Sequence, residues 1–598
     1  VADTPSTEKV YHGIAASPGI AIGNILLIKE HSTSYSESSD EPIDPDKVEE
    51  EIDRFHSALD KTRNELLDLQ KRIQDKLESR EASIFDAHLL IVDDQMLMSE
   101  VEDVVRRQHK TADYAFFKVI ERYVAAISVM PDKYIKERAA DIKDVGSRVL
   151  SNLRETKRPV LDHLVEKRVI IARDLTPSDT ALLDREMVQA FAIETGTNTS
   201  HTAILARSME IPAVVGIPGE IFATLNNDDE IIVDGYIGTV ITNPSQKTKE
   251  LYKMKAEEEG RFYIDLIRES RLRPETVDGF TIQLASNIET INDIQAAKKF
   301  GTCGVGLFRT EYMYLNSNRL PSEDEQYETY KKLILDMNGE PVVVRTLDIG
   351  GDKLDQNISS HVEQNPFLGL RAIRLCLRER RDLLRTQLRA ILRASAYGNL
   401  KIMFPMISCV EEVQEAKEFM DEIKEELAGL KIDHNPHIET GIMIETPSAA
   451  LMAEKLAKIV DFFSIGTNDL VQYTMAIDRS NEKVAYLYHP ANPAILELIK
   501  RVVDAARRNN IWVSLCGQMA GNPKYTPLLV GMGIHELSMS PISLGAVRRI
   551  IRKLTMHEAE KAVEEALKCS TADEALEVSL ELLQKISPDI TELALKGL

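Results

Sequence analysis

The sequence predicts a multidomain α/β protein: an α/β unit with an inserted helical bundle, followed by a (β/α)₈ barrel. Three observations predict it. The chain has 598 residues, whereas single hydrophobic cores stop growing at about 250 to 300 residues. A stretch with helical periodicity separates two groups of strand-like runs near the start. After Pro274, eight strand-like runs each precede a helical stretch, which is the pattern of a closed parallel barrel.

In chain order, GIAIGNILLI opens the first α/β unit, and VIIA (169–172), VQAFAIE (188–194), PAVVG (212–216), EIIVDG and TVIT (230–242) continue it. Gly, Pro and Asp punctuate these runs. The unit is therefore built from residues 1–32 and 155–244, and residues 33–154 form the insert. Within the insert Val48, Ile52, Phe55, Leu59, Leu66, Leu69, Ile73 and Leu77 recur mainly at steps of three and four, with Thr62 in the gap. That spacing puts one apolar stripe on a long helix; pattern alone does not separate a docking surface from scaffold. Residues 245–272 are charged and helix-forming, a connecting helix, and Pro274 stops the pattern. The barrel, residues 273–598, takes its strands from TIQLASNI, GVGLFR, VVVRTLDIG, KIMFPMI, GIMIE, FFSIG, VSLCG and ELSMS.

Composition excludes several classes of function. A hydrophobic fraction of 43% and a charged fraction of 28% are ordinary for a globular chain, and no apolar run approaches the ~20 residues needed to span a bilayer. The opening VADTPSTEKVYHG has neither a basic leader nor an apolar core, so no secretory signal is expected there. The five cysteines are widely spaced and contain no CxxC pair, which points to reduced thiols and a cytoplasmic setting. A net charge of −23 opposes binding to nucleic acid. An anionic substrate must then be held by a local cluster of cations.

Barrel enzymes collect their chemistry at the C-terminal ends of the strands. There the sequence offers Arg309, Arg345, Asp348, Glu445, Asn468, Asp469 and Cys516, with Arg371 and Arg479 shortly after strand ends. Guanidinium forks match carboxylate and phosphate oxygens, so the arginines suit a small, doubly anionic molecule. Glu445 and Asp469 follow neighbouring strands and could hold one hard cation such as Mg²⁺, completed by water and substrate oxygens. The same charges could instead pair with one another around the rim. In the first unit, His201 lies among Thr199, Ser200 and Thr202 before an apolar helical run. A helix start of this kind favours an anion, as a phosphorylated imidazole would be, although similar runs also serve as simple caps.

The segments TSHTAILARSMEIPAVVG, GVGLFRTEYMY, RTLDIGGDK, NPFLGLRAIR, GIMIETPSAA, DFFSIGTNDLVQYT and CGQMAG resemble, in order and spacing, the Enzyme I family of the phosphoenolpyruvate:sugar phosphotransferase system. The resemblance runs from about residue 10 to 555. It implies a phosphohistidine α/β domain, a helical subdomain that docks the phosphocarrier HPr, and a barrel that binds phosphoenolpyruvate and Mg²⁺ and pairs two copies into a homodimer. It also implies roles. His201 is the phosphorylated residue, with Thr180 hydrogen-bonded to it. Arg309, Arg345, Arg371, Arg479, Lys353 and Asn468 contact substrate, Glu445 and Asp469 hold the metal, and Cys516 protonates the enolate to give pyruvate. The implied activity moves the phosphoryl group from phosphoenolpyruvate to His201 and on to HPr, the first step of sugar uptake. The alternatives are a regulatory paralogue with weak turnover and a relative of the dikinases and phosphoenolpyruvate synthases, whose nucleotide-binding domain has no counterpart here. Two motifs depart from the family: Thr197-Asn198 stands for Gly-Arg before the histidine motif, and Gln518 replaces a glutamate beside Cys516.

Overall fold

The computed structural model describes residues 8–28, 43–76, 85, 88–128, 133–155, 164, 166–175, 179, 183, 186–196, 202–203, 206, 211–315, 319–350, 365–479, 481 and 483–595. His201, Thr180 and Lys353 lie outside the described residues. The chain divides into two compact units, Val1–Gly260 and Arg261–Lys596.

The first unit has one mixed sheet. Its strands are β1 (Lys9–His12), β2 (Ile14–Ser17), β3 (Ile20–Ile28), β4 (Arg168–Ala172), β5 (Val188–Ile193), β6 (Ala213–Val215), β7 (Glu230–Asp234) and β8 (Thr239–Thr242). The order is β1-β8-β7-β3-β4-β5-β6-β2. Strands β3 to β6 run parallel, and β7 pairs antiparallel with both β3 and β8. The central strands β4 and β5 are apolar apart from Arg168 and Gln189, and both of their faces are covered. One face holds Ile170, Phe191, Ile193, Ala203 and Ala206; the other holds Val169, Ile171, Ala190, Ala192 and Ile231. Ala203 and Ala206 belong to the crossover between β5 and β6, so the chain just after His201 is anchored in the core.

Between β3 and β4 the helices Val48–Lys76, Gln95–Gln108, Ala112–Ser128 and Lys133–Leu153 form the insert. Phe55, Leu66, Val101, Phe116 and Val145 share its core. Thr62 fits this apolar seam because its hydroxyl is satisfied twice, donating to the Ala58 carbonyl at 2.8 Å and accepting from Asn152 Nδ2 at 2.9 Å.

The helix Gln246–Arg268 carries the chain from one unit into the other. Its start is tied to the first sheet: Ser245 N and Thr248 Oγ1 both donate to Glu8 Oε2, at 2.6 and 2.7 Å, and Tyr252 packs on Ile232 and Ile241. Its last turns bury Leu266 against Ala546, Ile550, Leu583 and Ile590 of the second unit.

The second unit is a closed barrel of eight parallel strands: β9 (Gln283–Ile288), β10 (Val305–Phe308), β11 (Val342–Arg345), β12 (Leu400–Phe404), β13 (Thr440–Ile444), β14 (Phe462–Ile465), β15 (Trp512–Leu515) and β16 (Glu536–Met539). All eight predicted strand runs are present. Strand β16 closes on β9 through Glu536↔Gln283 to Met539↔Ser286. The barrel lumen holds Leu307, Val343, Met403, Met443, Phe462 and Cys516, so it is a packed core. Helices Met556–Ala566, Ala572–Ile586 and Pro588–Leu595 follow the barrel. Among the described residues no helix is long and apolar enough to cross a membrane.

Candidate active site

The C-terminal ends of the strands bring together a buried cluster of opposite charges. Arg345 is the last residue of β11; its Nη2 donates to Glu311 Oε1 at 2.9 Å and its Nη1 lies 3.1 Å from Asp348 Oδ2. The other oxygen of Asp348 accepts from Arg371 Nη2 at 3.0 Å, and Arg371 Nη1 donates to the Tyr473 hydroxyl at 3.0 Å and lies 3.6 Å from Asp469 Oδ1. Asp348 thus ties two guanidinium groups to one point. Burial works against both charges, yet Glu311 and Asp348 beside Arg345, and Asp348 and Asp469 beside Arg371, hold the two arginines above their usual range. The Nε of each arginine is buried and, among the described residues, has no hydrogen-bond partner. Two buried donors of this kind suit the oxygens of an anionic ligand.

The backbone around Arg371 is shaped for this position. Ala372 adopts φ +53, and its N–H donates to the Ile349 carbonyl at 2.9 Å. A Cβ on Gly350 would come within 2.0 Å of the Arg371 Cβ. No substituent fits there.

Glu445 follows β13 and is only 1% exposed; its Oε1 accepts from the Met406 N–H at 2.6 Å. Met406 has φ +57, a conformation costly for a non-glycine residue and typical of functional positions. Burial first, then the charges of Asp469 and Asp348, push the Glu445 carboxyl up to about 8 against the pull of Arg345 and Arg371. A buried carboxyl raised by neighbouring carboxylates is what a divalent cation would relieve. Among the described residues no cluster of three or more His, Cys, Asp and Glu side chains could hold a metal by itself. Glu445 and Asp469 lie close enough for the charge of one to act on the other, and a hard cation held between them would take its remaining ligands from water and substrate.

Cys516 follows β15, beneath these charges. Its Sγ accepts from Ser464 Oγ at 3.2 Å, and its carbonyl accepts from Asn287 Nδ2 at 2.9 Å. Burial pushes the thiol up to about 11, so it stays protonated at neutral pH. Arg309 follows β10 and donates to Glu289 Oε1 at 2.7 Å, close enough for its charge to reach the Cys516 thiol. Asn468 Oδ1 accepts from the Gln518 N–H at 2.9 Å, and Arg479 reaches the Tyr488 hydroxyl. The structure so gathers Arg345, Arg371, Glu445 and Asp469 into one charged cluster and sets Cys516, Arg309, Asn468 and Arg479 around the same barrel mouth.

Sequence reasoning missed Glu311, Tyr473 and Ser464, and gave Asp348 no role. Glu311 and Tyr473 stand in helices just after strands, where a polar residue reads as surface. Ser464, inside the FFSIG run, was detectable as a lone hydroxyl in an apolar strand.

Comparison with known proteins agrees along the chain. Three family models match: the N-terminal domain of phosphoenolpyruvate-utilising enzymes over residues 12–138, their mobile domain over 164–238, and their phosphoenolpyruvate-binding domain over 267–556. The chain is 46% identical over 572 residues to a phosphoenolpyruvate-protein phosphotransferase of Geobacillus stearothermophilus, covering 95% of this chain and 97% of that one. It is 45% identical over 574 residues to the protein of the same name from Listeria monocytogenes, covering 95% and 98%. The Staphylococcus aureus protein of that name is 44% identical over 574 residues, covering 96% and 99%.

Proposed function

The chain belongs to the phosphoenolpyruvate-protein phosphotransferase family, Enzyme I, and from that premise we propose how its own residues divide the reaction. Phosphoenolpyruvate binds at the C-terminal mouth of the barrel, its phosphate and carboxylate taken by Arg309, Arg345, Arg371 and Arg479, with Lys353 and Asn468 as further contacts. Glu445 and Asp469 hold Mg²⁺, which when bound neutralises substrate charge. A neutral ring nitrogen of His201 attacks phosphorus, and positioning and charge neutralisation supply most of the rate. Cys516 then gives its proton to carbon 3 of the enolate, releasing pyruvate, and phospho-His201 passes its phosphoryl group to a histidine of HPr.

The observation that carries this reading is the buried Arg345–Asp348–Arg371 cluster beside Glu445 and Asp469, a local store of cationic donors in a chain of net charge −23. The 33–154 bundle docks HPr, Thr180 supports the imidazole, the unit formed by residues 1–32 and 155–244 carries the phosphohistidine, and the barrel of residues 273–598 pairs two copies. The setting is the cytoplasmic start of sugar uptake.

Pyruvate release from phosphoenolpyruvate, followed with and without HPr, tests the assignment. Without HPr the enzyme should stop after about one pyruvate per chain, as a covalent intermediate requires; with HPr release should continue, and His201→Ala should release none. Continuous release without a protein acceptor would refute the phosphohistidine route, and failure to turn over with HPr would mark a regulatory paralogue.

A further inference from the structure

A second buried carboxyl lies in the barrel lumen, away from the charged mouth. Glu536 opens β16 at the N-terminal end of the barrel, is 4% exposed, and its Oε1 has no hydrogen-bond partner among the described residues. Its position inside the lumen follows from its neighbours. Ser538, two residues on and so on the same face, donates to Asn287 Oδ1 at 2.6 Å, and Asn287 in turn donates to the Cys516 carbonyl. A Cβ on Gly306 would meet Glu536 Oε1 at 2.7 Å and Ser538 Oγ at 2.5 Å, so only glycine leaves room for this carboxyl.

Strand register joins Glu536 to the thiol. Glu536 is the partner of Ser514 on β15, and Ser514 is the partner of Ser464 on β14. Ser514 and Ser464 are both buried, and registered residues of parallel strands point to the same face. Ser464 Oγ already donates to Cys516 Sγ. In the lumen, among Leu307, Val343, Met403, Met443 and Phe462, register therefore brings a carboxyl and two hydroxyls side by side on neighbouring strands, and the last hydroxyl, Ser464, is hydrogen-bonded to the thiol. Below Glu536 lies the N-terminal mouth, where Lys401 bonds Glu439 Oε2 at 2.7 Å and lies over the Trp512 ring. Lys401 is the charged group that acts on Glu536, and Glu439, with 44% of its side chain exposed, links that mouth to water.

We propose that Glu536, through Ser514 and Ser464, returns a proton to Cys516 after the thiol has protonated the enolate, so that protons enter the barrel at its N-terminal mouth. The proposal rests on Cys516 being the acid. Carbon 3 of the enolate takes the Sγ proton and leaves a thiolate; Ser464 gives its hydroxyl proton to Sγ, Ser514 refills Ser464, and Glu536 refills Ser514. The resulting carboxylate, beside Lys401, regains a proton from water. The net transfer is one proton from solvent to carbon. Burial pushes Glu536 up to about 7 and Cys516 to about 11, so the return is downhill and Glu536 still recharges near neutral pH. Glu536 touches no substrate and acts only through Cys516.

The test follows carbon protonation through the first and later turnovers of the full chain by rapid quench, with phosphoenolpyruvate, Mg²⁺ and excess HPr. Glu536→Gln and Ser514→Ala should make the first pyruvate at the unaltered rate, from the proton already on sulfur, and then slow on the order of 10²-fold, the low end of general acid catalysis. Half-saturation by phosphoenolpyruvate should not change, and Glu536→Asp should recover part of the loss. Later turnovers as fast as the unaltered protein's in both variants would overturn the relay. So would a first turnover slowed as much as the later ones, because that marks a packing role. Cys516→Ala separates the two ideas: it should be slow from the first turnover, and normal speed there would remove the acid on which the relay depends.

Discussion

At the residue scale, protonation states decide the chemistry. Cys516 is held as a thiol by burial, while Ser464 already donates to its sulfur and would stabilise a thiolate once formed. In Cys516→Ala, pyruvate formation should fall by about 10² to 10⁴, the usual worth of a positioned general acid, while phosphorylation of His201, which precedes it, stays within a few-fold. Rapid quench reads both steps, and an equal loss in each would make Cys516 a binding residue. Glu445 gives a test with a sign. Its carboxyl is raised from the usual 4.5 to about 8, so at neutral pH without a cation it carries a proton that a metal must displace. Mg²⁺ binding should therefore release a proton at pH 7, and affinity should rise with pH until about 8 and then level off. In the metal-free protein the same shift works against stability as pH rises. The native carboxyl binds its proton more tightly than the unfolded one, so its contribution is complete below about 4.5 and is lost between there and about 8. Calorimetry in buffers of different ionisation enthalpy counts the released protons; none released would remove Glu445 from the metal site.

At the element scale, strands and site loops differ in how well the sequence announces them. Runs such as KIMFPMI and GIMIE are apolar on both faces, and only a barrel or a doubly covered sheet buries both, so all eight barrel strands were legible. Strands β1 and β2 were not, because KVYH and IAAS carry no alternation and are fixed by pairing with β8 and β6, which are distant in sequence. The charged residues at strand ends were legible as a set. Which of them pair was not, since Asp348 joins Arg345 to Arg371, residues far apart in sequence, and the left-handed Ala372 beside Arg371 is held by the Ile349 carbonyl beside Asp348. One glycine shows how tightly adjacent elements meet at the mouth. A Cβ on Gly517, just after Cys516, would lie 1.9 Å from Thr467 Oγ1 and 2.8 Å from Thr467 N, at the start of the helix that carries Asn468 and Asp469. Gly517→Ala must push that helix away, at a cost of about 1 to 3 kcal/mol, and should weaken Mg²⁺ binding along with it. Gly429→Ala, where nothing lies within 4 Å, is the control and should leave both unchanged. Thermal melts and Mg²⁺ titration read the pair; a Gly517→Ala protein that binds Mg²⁺ normally would show that Asp469 is not positioned by this contact.

At the scale of the whole molecule, composition and length implied several domains, and the division of the chain falls at Gly260 and Arg261, inside the helix predicted for residues 245–272. The charged, helix-forming sequence was enough to find the connection. It did not reveal that the two ends of the helix belong to different cores, because Tyr252 and Leu266 look alike as isolated apolar residues until Ile232 and Ile550 are beside them. That difference sets where the protein can be cut. A fragment ending at residue 244 loses Tyr252 from its contact with Ile232 and Ile241, the Lys249–Glu230 ion pair, and the hydrogen bonds that Ser245 and Thr248 make to Glu8. A fragment ending at residue 260 keeps them all. Losing one buried tyrosine contact should cost about 1 to 3 kcal/mol, so both fragments should fold but the longer should melt several degrees higher. Neither contains Arg309, Arg345, Arg371, Glu445, Asp469 or Cys516, whereas both contain His201 and the bundle between β3 and β4. Each fragment should therefore take a phosphoryl group from phosphorylated HPr and return it, an exchange between two imidazoles that needs no barrel, and should not react with phosphoenolpyruvate at any Mg²⁺ concentration. Mass spectrometry at neutral to basic pH, with His201→Ala as the blank, follows the phosphohistidine. Labelling by phosphoenolpyruvate, or labelling that persists in the blank, would show that donor chemistry or the acceptor histidine lies elsewhere in the chain.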